Sequence, residues 1–133
     1  MVTPLFTPGA PKPAGPYSQA VAAAGLIFTA GQFGLDPLTG RLVNESIEAE
    51  TAQALANLKA ILAASGAGFG DVVSVTIHTT DLSLFQAING VYAAALGDAK
   101  PARTTVQAAA LPLGGRIEIS MIARQDHGDA ART

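Results

Sequence analysis

Two spacings of apolar side chains divide this chain. Across residues 71–80, Val73, Val75 and Ile77 point one way and Ser74, Thr76, His78 and Thr80 the other, the two-residue period of a half-buried strand. Across residues 44–65 the period lengthens, and Ile47, Thr51, Ala54, Leu55, Leu58, Ile61 and Leu62 fall on one stripe of a helix. Glu45, Glu48 and Glu50 occupy its first turns, where the helix dipole favours negative charge. Gly66 stands where a left-handed cap would end it. A second helix is predicted from Asp81, with Ser83 and Gln86 spaced as a capping box and Leu84, Phe85, Ile88, Val91, Tyr92 and Ala95 as its buried side. Gly97 and Pro101 terminate it.

The flanking segments read as strands. Pro4, Pro8, Pro11 and Pro13 restrict residues 2–14 to a short edge piece around Leu5 and Phe6. Residues 20–23 and 26–32 form a hairpin broken at Gly25, and Asp36-Pro37-Leu38-Thr39-Gly40 is a turn. Residues 101–106 and 116–120 are two further strands, separated by the turn at 111–115. The order predicts an α+β domain over residues 1–124, a sheet with both helices on one face. Opposite the Val/Ile row, residues 71–80 carry small uncharged groups, which suit burial against other copies better than contact with water. About three sheets meeting is the expectation. The polar, aperiodic tail 125–133 is expected to fray.

Composition strengthens the oligomer and removes several chemistries. Of the 133 residues 49% are hydrophobic and only 14% charged, too few charges to cover a monomer's surface comfortably. A net charge of -2 gives no electrostatic reason to bind nucleic acid. Cysteine is absent, which removes disulfides, thiolate nucleophiles and Cys-ligated metals. His78 and His127 have no partner at helical spacing, so no metal site is expected, and His78 reads as structural. No apolar run reaches the ~20 residues of a membrane span, and residues 1–4 do not open a signal peptide. A cytoplasmic protein is the expectation.

The last two strands hold the candidate chemistry. Alternation puts Arg103 and Thr105 on one face of the first, and Glu118 with Arg116 and Ser120 on one face of the second. Were these strands close, a permanent cation and a carboxylate would flank one small guest bearing a carboxylate. Spacing alone favours the plainer reading, a surface Arg–Glu pair across the two strands.

Eight short motifs occur in one order over residues 15–124: Gly15-Pro16-Tyr17-Ser18-Gln19-Ala20, Thr29-Ala30-Gly31-Gln32, Asn57-Leu58, Gly70-Asp71-Val72-Val73, Asp81-Leu82, Ile88-Asn89, Pro101-Ala102-Arg103-Thr104 and Ile117-Glu118-Ile119. In this order and spacing they resemble the RidA/YjgF family of imine deaminases, also labelled the L-PSP endoribonuclease family. The resemblance implies a chorismate-mutase-like α+β fold with a mixed sheet, and a homotrimer with a barrel core and sites between subunits. It also implies hydrolysis of 2-imino or 2-enamino acids to 2-keto acids and ammonia, without cofactor or metal. Arg103 then matches the arginine that holds the substrate carboxylate, and Glu118 the glutamate that positions the attacking water. Tyr17 and Asn89 match pocket-lining positions, and Gly31 a glycine whose backbone approaches the ligand. Two positions depart from the best-characterised deaminases: Ala30 replaces a serine, and Thr105 replaces a cysteine. The Thr105 hydroxyl is expected to restore a hydrogen bond to substrate or water. The rivals are a non-catalytic or regulatory binder of small carboxylates and, with no basic groove to support it, an endoribonuclease.

Overall fold

The structure, a computed structural model, describes residues 1–125. Its regular elements are β1 (Thr3–Leu5), β2 (Ala20–Ala23), β3 (Leu26–Thr29), α1 (Ile47–Ala64), β4 (Val72–Thr79), α2 (Phe85–Leu96), β5 (Ala102–Gln107) and β6 (Ile117–Arg124). The strands form one sheet in the order β1-β2-β3-β6-β4-β5. Its neighbours are antiparallel except β4 and β5, which run parallel because α2 carries the chain back between them. The α+β class and the mixed sheet are as expected.

α1 forms where its apolar stripe predicts. Ser46 caps it by accepting a hydrogen bond from the Ala49 N–H at 3.0 Å, and Gly66 takes the left-handed conformation just beyond it. Every residue of the predicted stripe is buried. Leu55, Leu58, Ile61 and Leu62 pack with Ile27, Val75, Ile77, Ile117, Ile119, Met121 and Ala123 of the sheet in one core. Gln19 ties down the N-terminal segment: its amide accepts from Thr7 N–H and donates to the carbonyls of Thr7, Ala10 and Pro11.

Several expectations need correction. A bulge between Val72 and Ser74 turns Val73 outward, 49% exposed, and puts Val72 in the core instead. The Ser83–Gln86 capping box does not form; Asp81 caps a single tight turn at Leu82–Leu84, its carboxylate accepting from Ser83 N–H. Phe85 and Ala95 lie on the exposed part of α2. β3 stops at Thr29 rather than continuing to residue 32, and Gln32 rejoins the sheet through paired backbone bonds to Ile119. The edge strand is Thr3–Leu5, with Phe6 outside it. Glu50 does stand in the first turn of α1, and it is also fully buried and paired with Arg116, whose Nε lies 2.8 Å from its Oε1. Arg116 therefore reaches toward α1 and does not share a face with Glu118. The tail expected to fray lies outside the described residues except Gln125, whose N–H donates to the Gly25 carbonyl.

Candidate functional site

β5 and β6 are not neighbours; β4 lies between them. Register then decides which way the predicted site residues point. Val75 and Ile77 of β4 face the helices, and their partners on β5 are Arg103 and Thr105. His78, on the opposite face of β4, pairs with Glu118 of β6. Arg103 and Glu118 of one chain thus stand on opposite faces of one sheet, and the candidate site has two halves.

The cationic half lies where α2 meets the edge strand β5. The Arg103 guanidinium stacks 4.8 Å from the centroid of the Tyr92 ring and 5.5 Å from that of Phe85. Arg103 has no acidic partner among the described residues. Asn89, Tyr92, Lys100 and Arg103 line a hollow of about 280 Å³. Asn89 Oδ1, Tyr92 Oη and Thr105 Oγ1 are all buried without a hydrogen-bond partner among the described residues. Buried polar atoms are seldom left unpaired, so such a group beside a free guanidinium calls for a polar guest. Burial pushes the Tyr92 hydroxyl above its ordinary range, and the neighbouring Arg103 charge only partly offsets this.

The acidic half lies on the face away from the helices. Glu118 Oε1 is 3.0 Å from His78 Nδ1, and these side chains are 26% and 38% exposed. Gly31 abuts the same carboxylate: a methyl group there would overlap Glu118, so the backbone can pass this close only without a side chain. Gly31 also borders an apolar hollow of about 220 Å³ with Tyr17, Phe33, Pro112 and Leu113. Tyr17 is exposed, and its ring folds back so that Oη accepts from Ala14 N–H at 3.2 Å. Ala30 ties this segment to Gln19 through its own N–H, at 2.8 Å from the Gln19 carbonyl. The loop is pinned further by Asn57, whose amide donates to the carbonyls of Phe33 and Leu35. Among the described residues no three His, Asp or Glu side chains gather as metal ligands would.

The sequence profile described as Endoribonuclease L-PSP matches residues 7–125. The chain belongs to that family, which is also the family of RidA. It is 45% identical over 121 residues to the goat (Capra hircus) 2-iminobutanoate/2-iminopropanoate deaminase, covering 91% of this chain and 88% of that one. Among solved structures it superposes on RidA from the Antarctic bacterium Psychrobacter with a TM-score of 0.87 at 42% identity, covering 90% of this chain and 97% of that one. It superposes on Escherichia coli TdcF with bound serine with a TM-score of 0.89 at 35% identity, covering 93% and 99%.

Within this L-PSP family chain, the residues singled out from the sequence fall into two groups, Arg103, Thr105 and Asn89 where α2 meets β5, and Gly31 with Glu118 on the other face, so the expected closeness of Arg103 and Glu118 does not hold within one chain. The structure adds two neighbours that have no site role in the sequence reading. Tyr92, packed against the core as the α2 stripe predicts, also stacks on Arg103. His78, on the polar face of β4 as alternation predicts, meets Glu118.

Proposed function

We propose that this protein hydrolyses 2-imino and 2-enamino acids to 2-keto acids and ammonia, at sites shared between neighbouring copies of a homotrimer. The observation that carries the reading is the Arg103 guanidinium, with no acidic partner among the described residues, in one hollow with Asn89 and Tyr92, whose buried oxygens have no hydrogen-bond partner among those residues either. A guanidinium holds a carboxylate through two parallel hydrogen bonds and keeps its charge at any working pH. Asn89, Tyr92 and Thr105 supply polar atoms for the rest of a small guest.

The base needed for hydrolysis is Glu118. Its carboxylate accepts a proton from water as the water oxygen bonds to the imine carbon. That proton passes to nitrogen to give a carbinolamine. The hydroxyl proton then follows to nitrogen as the carbon–oxygen double bond forms and the carbon–nitrogen bond breaks, and ammonia departs from the 2-keto acid. Imine plus water gives ketone plus ammonia with no transfer of electrons. One sheet separates the two halves within a single chain, so the guest must lie between the Arg103 corner of one copy and the Glu118 face of the next. A trimer packed through the half-buried, largely polar face of β4, β5 and β6 supplies that arrangement. The named activity of the goat relative and the serine bound to TdcF support a small amino-acid-like guest.

The test generates 2-aminoacrylate from serine with a pyridoxal-phosphate dehydratase and times pyruvate release with and without this protein. Acceleration that Arg103→Ala abolishes is the expected result. Binding of 2-ketobutyrate without acceleration would favour a carboxylate-binding role, and RNA cleavage that survives rigorous purification would favour an endoribonuclease.

A further inference from the structure

We propose that His78 is a positioning residue for Glu118, fixing which carboxylate oxygen is free to act on water. The inference rests on the deaminase reading above and adds to it a residue with no role there. A carboxylate has no proton to offer at neutral pH, so the 3.0 Å contact is Nδ1–H of His78 donating to Oε1 of Glu118. That bond occupies Oε1. The Gly31 backbone lies against Oε2 and bounds its position from the other side. The carboxylate is thus held between a donor on β4 and a backbone wall, with one oxygen committed and the other available.

The supports of this pair are rigid. His78 and Glu118 are register partners on adjacent central strands, where β4 and β6 pair from Ser74 to Thr79. Gly31 is fixed by the two backbone bonds joining Gln32 to Ile119, at 2.8 and 2.9 Å. The strand residues beside the pair on that face are Thr76, Ser120, Thr104 and Val106, and none of them titrates. Among these strand neighbours no second acid competes for the imidazole and no second base for the carboxylate. A bulky or apolar residue at 78 would leave Glu118 free to rotate, and a reacting group misplaced by about 1 Å can cost up to 10²-fold in rate.

The experiment compares wild type, His78→Leu and His78→Asn in the 2-aminoacrylate assay, each also in a Glu118→Gln background. Asn places an amide N–H near the position of Nδ1. We expect His78→Leu to lower kcat about tenfold with KM little changed, and His78→Asn to recover most of that loss. In the Glu118→Gln background the same changes should have no further effect. In parallel, ¹⁵N spectra of the imidazole should show the Nδ1–H form at neutral pH in wild type, and lose that preference in Glu118→Gln. Unchanged kcat in His78→Leu, or equal losses in Leu and Asn, would overturn the assignment while leaving the deaminase reading intact. A wild-type protein that does not accelerate pyruvate release would instead overturn the deaminase reading, and this one with it, even if the spectra show the hydrogen bond.

Discussion

Because Arg103 and Glu118 stand on opposite faces of one sheet, two inactive variants should rescue each other. Arg103→Ala removes two charge-assisted hydrogen bonds to a substrate carboxylate, at about 1.5 kcal/mol each, so kcat/KM should fall roughly 150-fold. Glu118→Gln keeps the shape of the side chain but removes the base, a loss of roughly 10²-fold or more. The two variants are mixed in equal amounts, dissociated and reassembled. Each shared site takes its arginine from one copy and its glutamate from the next, so random assembly makes about one site in four complete. The mixture should then recover about a quarter of wild-type activity, some thirtyfold above either parent. Differently tagged copies that co-purify establish that mixed oligomers have formed, and light scattering gives their size. If tagged copies mix and the activity stays at the level of the parents, each copy supplies its own arginine and glutamate to one site. The reasoning from register would then be wrong.

Four further outcomes are expected. Gly31→Ala forces a methyl group into the Glu118 carboxylate and should lower kcat at least tenfold, while thermal melting moves by a few degrees at most. Thr105→Val and Tyr92→Phe each remove a buried hydroxyl that has no partner among the described residues, so denaturant unfolding should change by less than about 0.5 kcal/mol while KM rises several-fold. Glu50→Ala removes the partner of the Arg116 Nε and of the Arg116 N–H, which lies 2.7 Å from Oε2, and should cost about 2 kcal/mol in the same unfolding measurement, since the Arg116 side chain is partly exposed and keeps the Asn44 carbonyl. Burial raises the Tyr92 hydroxyl above its ordinary 10.0, so the unfolded chain loses this proton first. Stability should therefore decline as pH climbs beyond about 10, and Tyr92→Phe should lessen that decline in a pH series of melts.

What could be read directly from the sequence was local. The α1 stripe, the hairpin of β2 and β3 and the shared face of Arg103 and Thr105 each follow from a spacing of a few residues. The placement of Arg103 against Glu118 did not, because it depends on β4 coming between β5 and β6, a matter of tertiary order that alternation along one strand cannot express. The bulge after Val72 reversed the side assigned to Val73 for a similar reason: one extra residue shifts the parity of what precedes it. Glu50 looked like an acid placed for the helix dipole, and only the return of the chain at Arg116 made it half of a buried pair. Asp81 outcompeted Ser83 as a cap because the chain enters α2 through a tight turn that begins two residues earlier.

The place of β6 has a consequence for biosynthesis. It is the last strand along the described chain, yet β3 is hydrogen-bonded to one flank and β4 to the other. On a ribosome, the β1–β2–β3 meander and the β4–α2–β5 crossover emerge as separate halves, and no strand pairing joins them until residues 117–124 leave the exit tunnel. Until then only α1 can bridge the halves, and the inner edges of β3 and β4 are open to any nascent neighbour. Closure is thus a late, long-range event, and a translational stall just before β6 would leave the chain at its most dependent on chaperones.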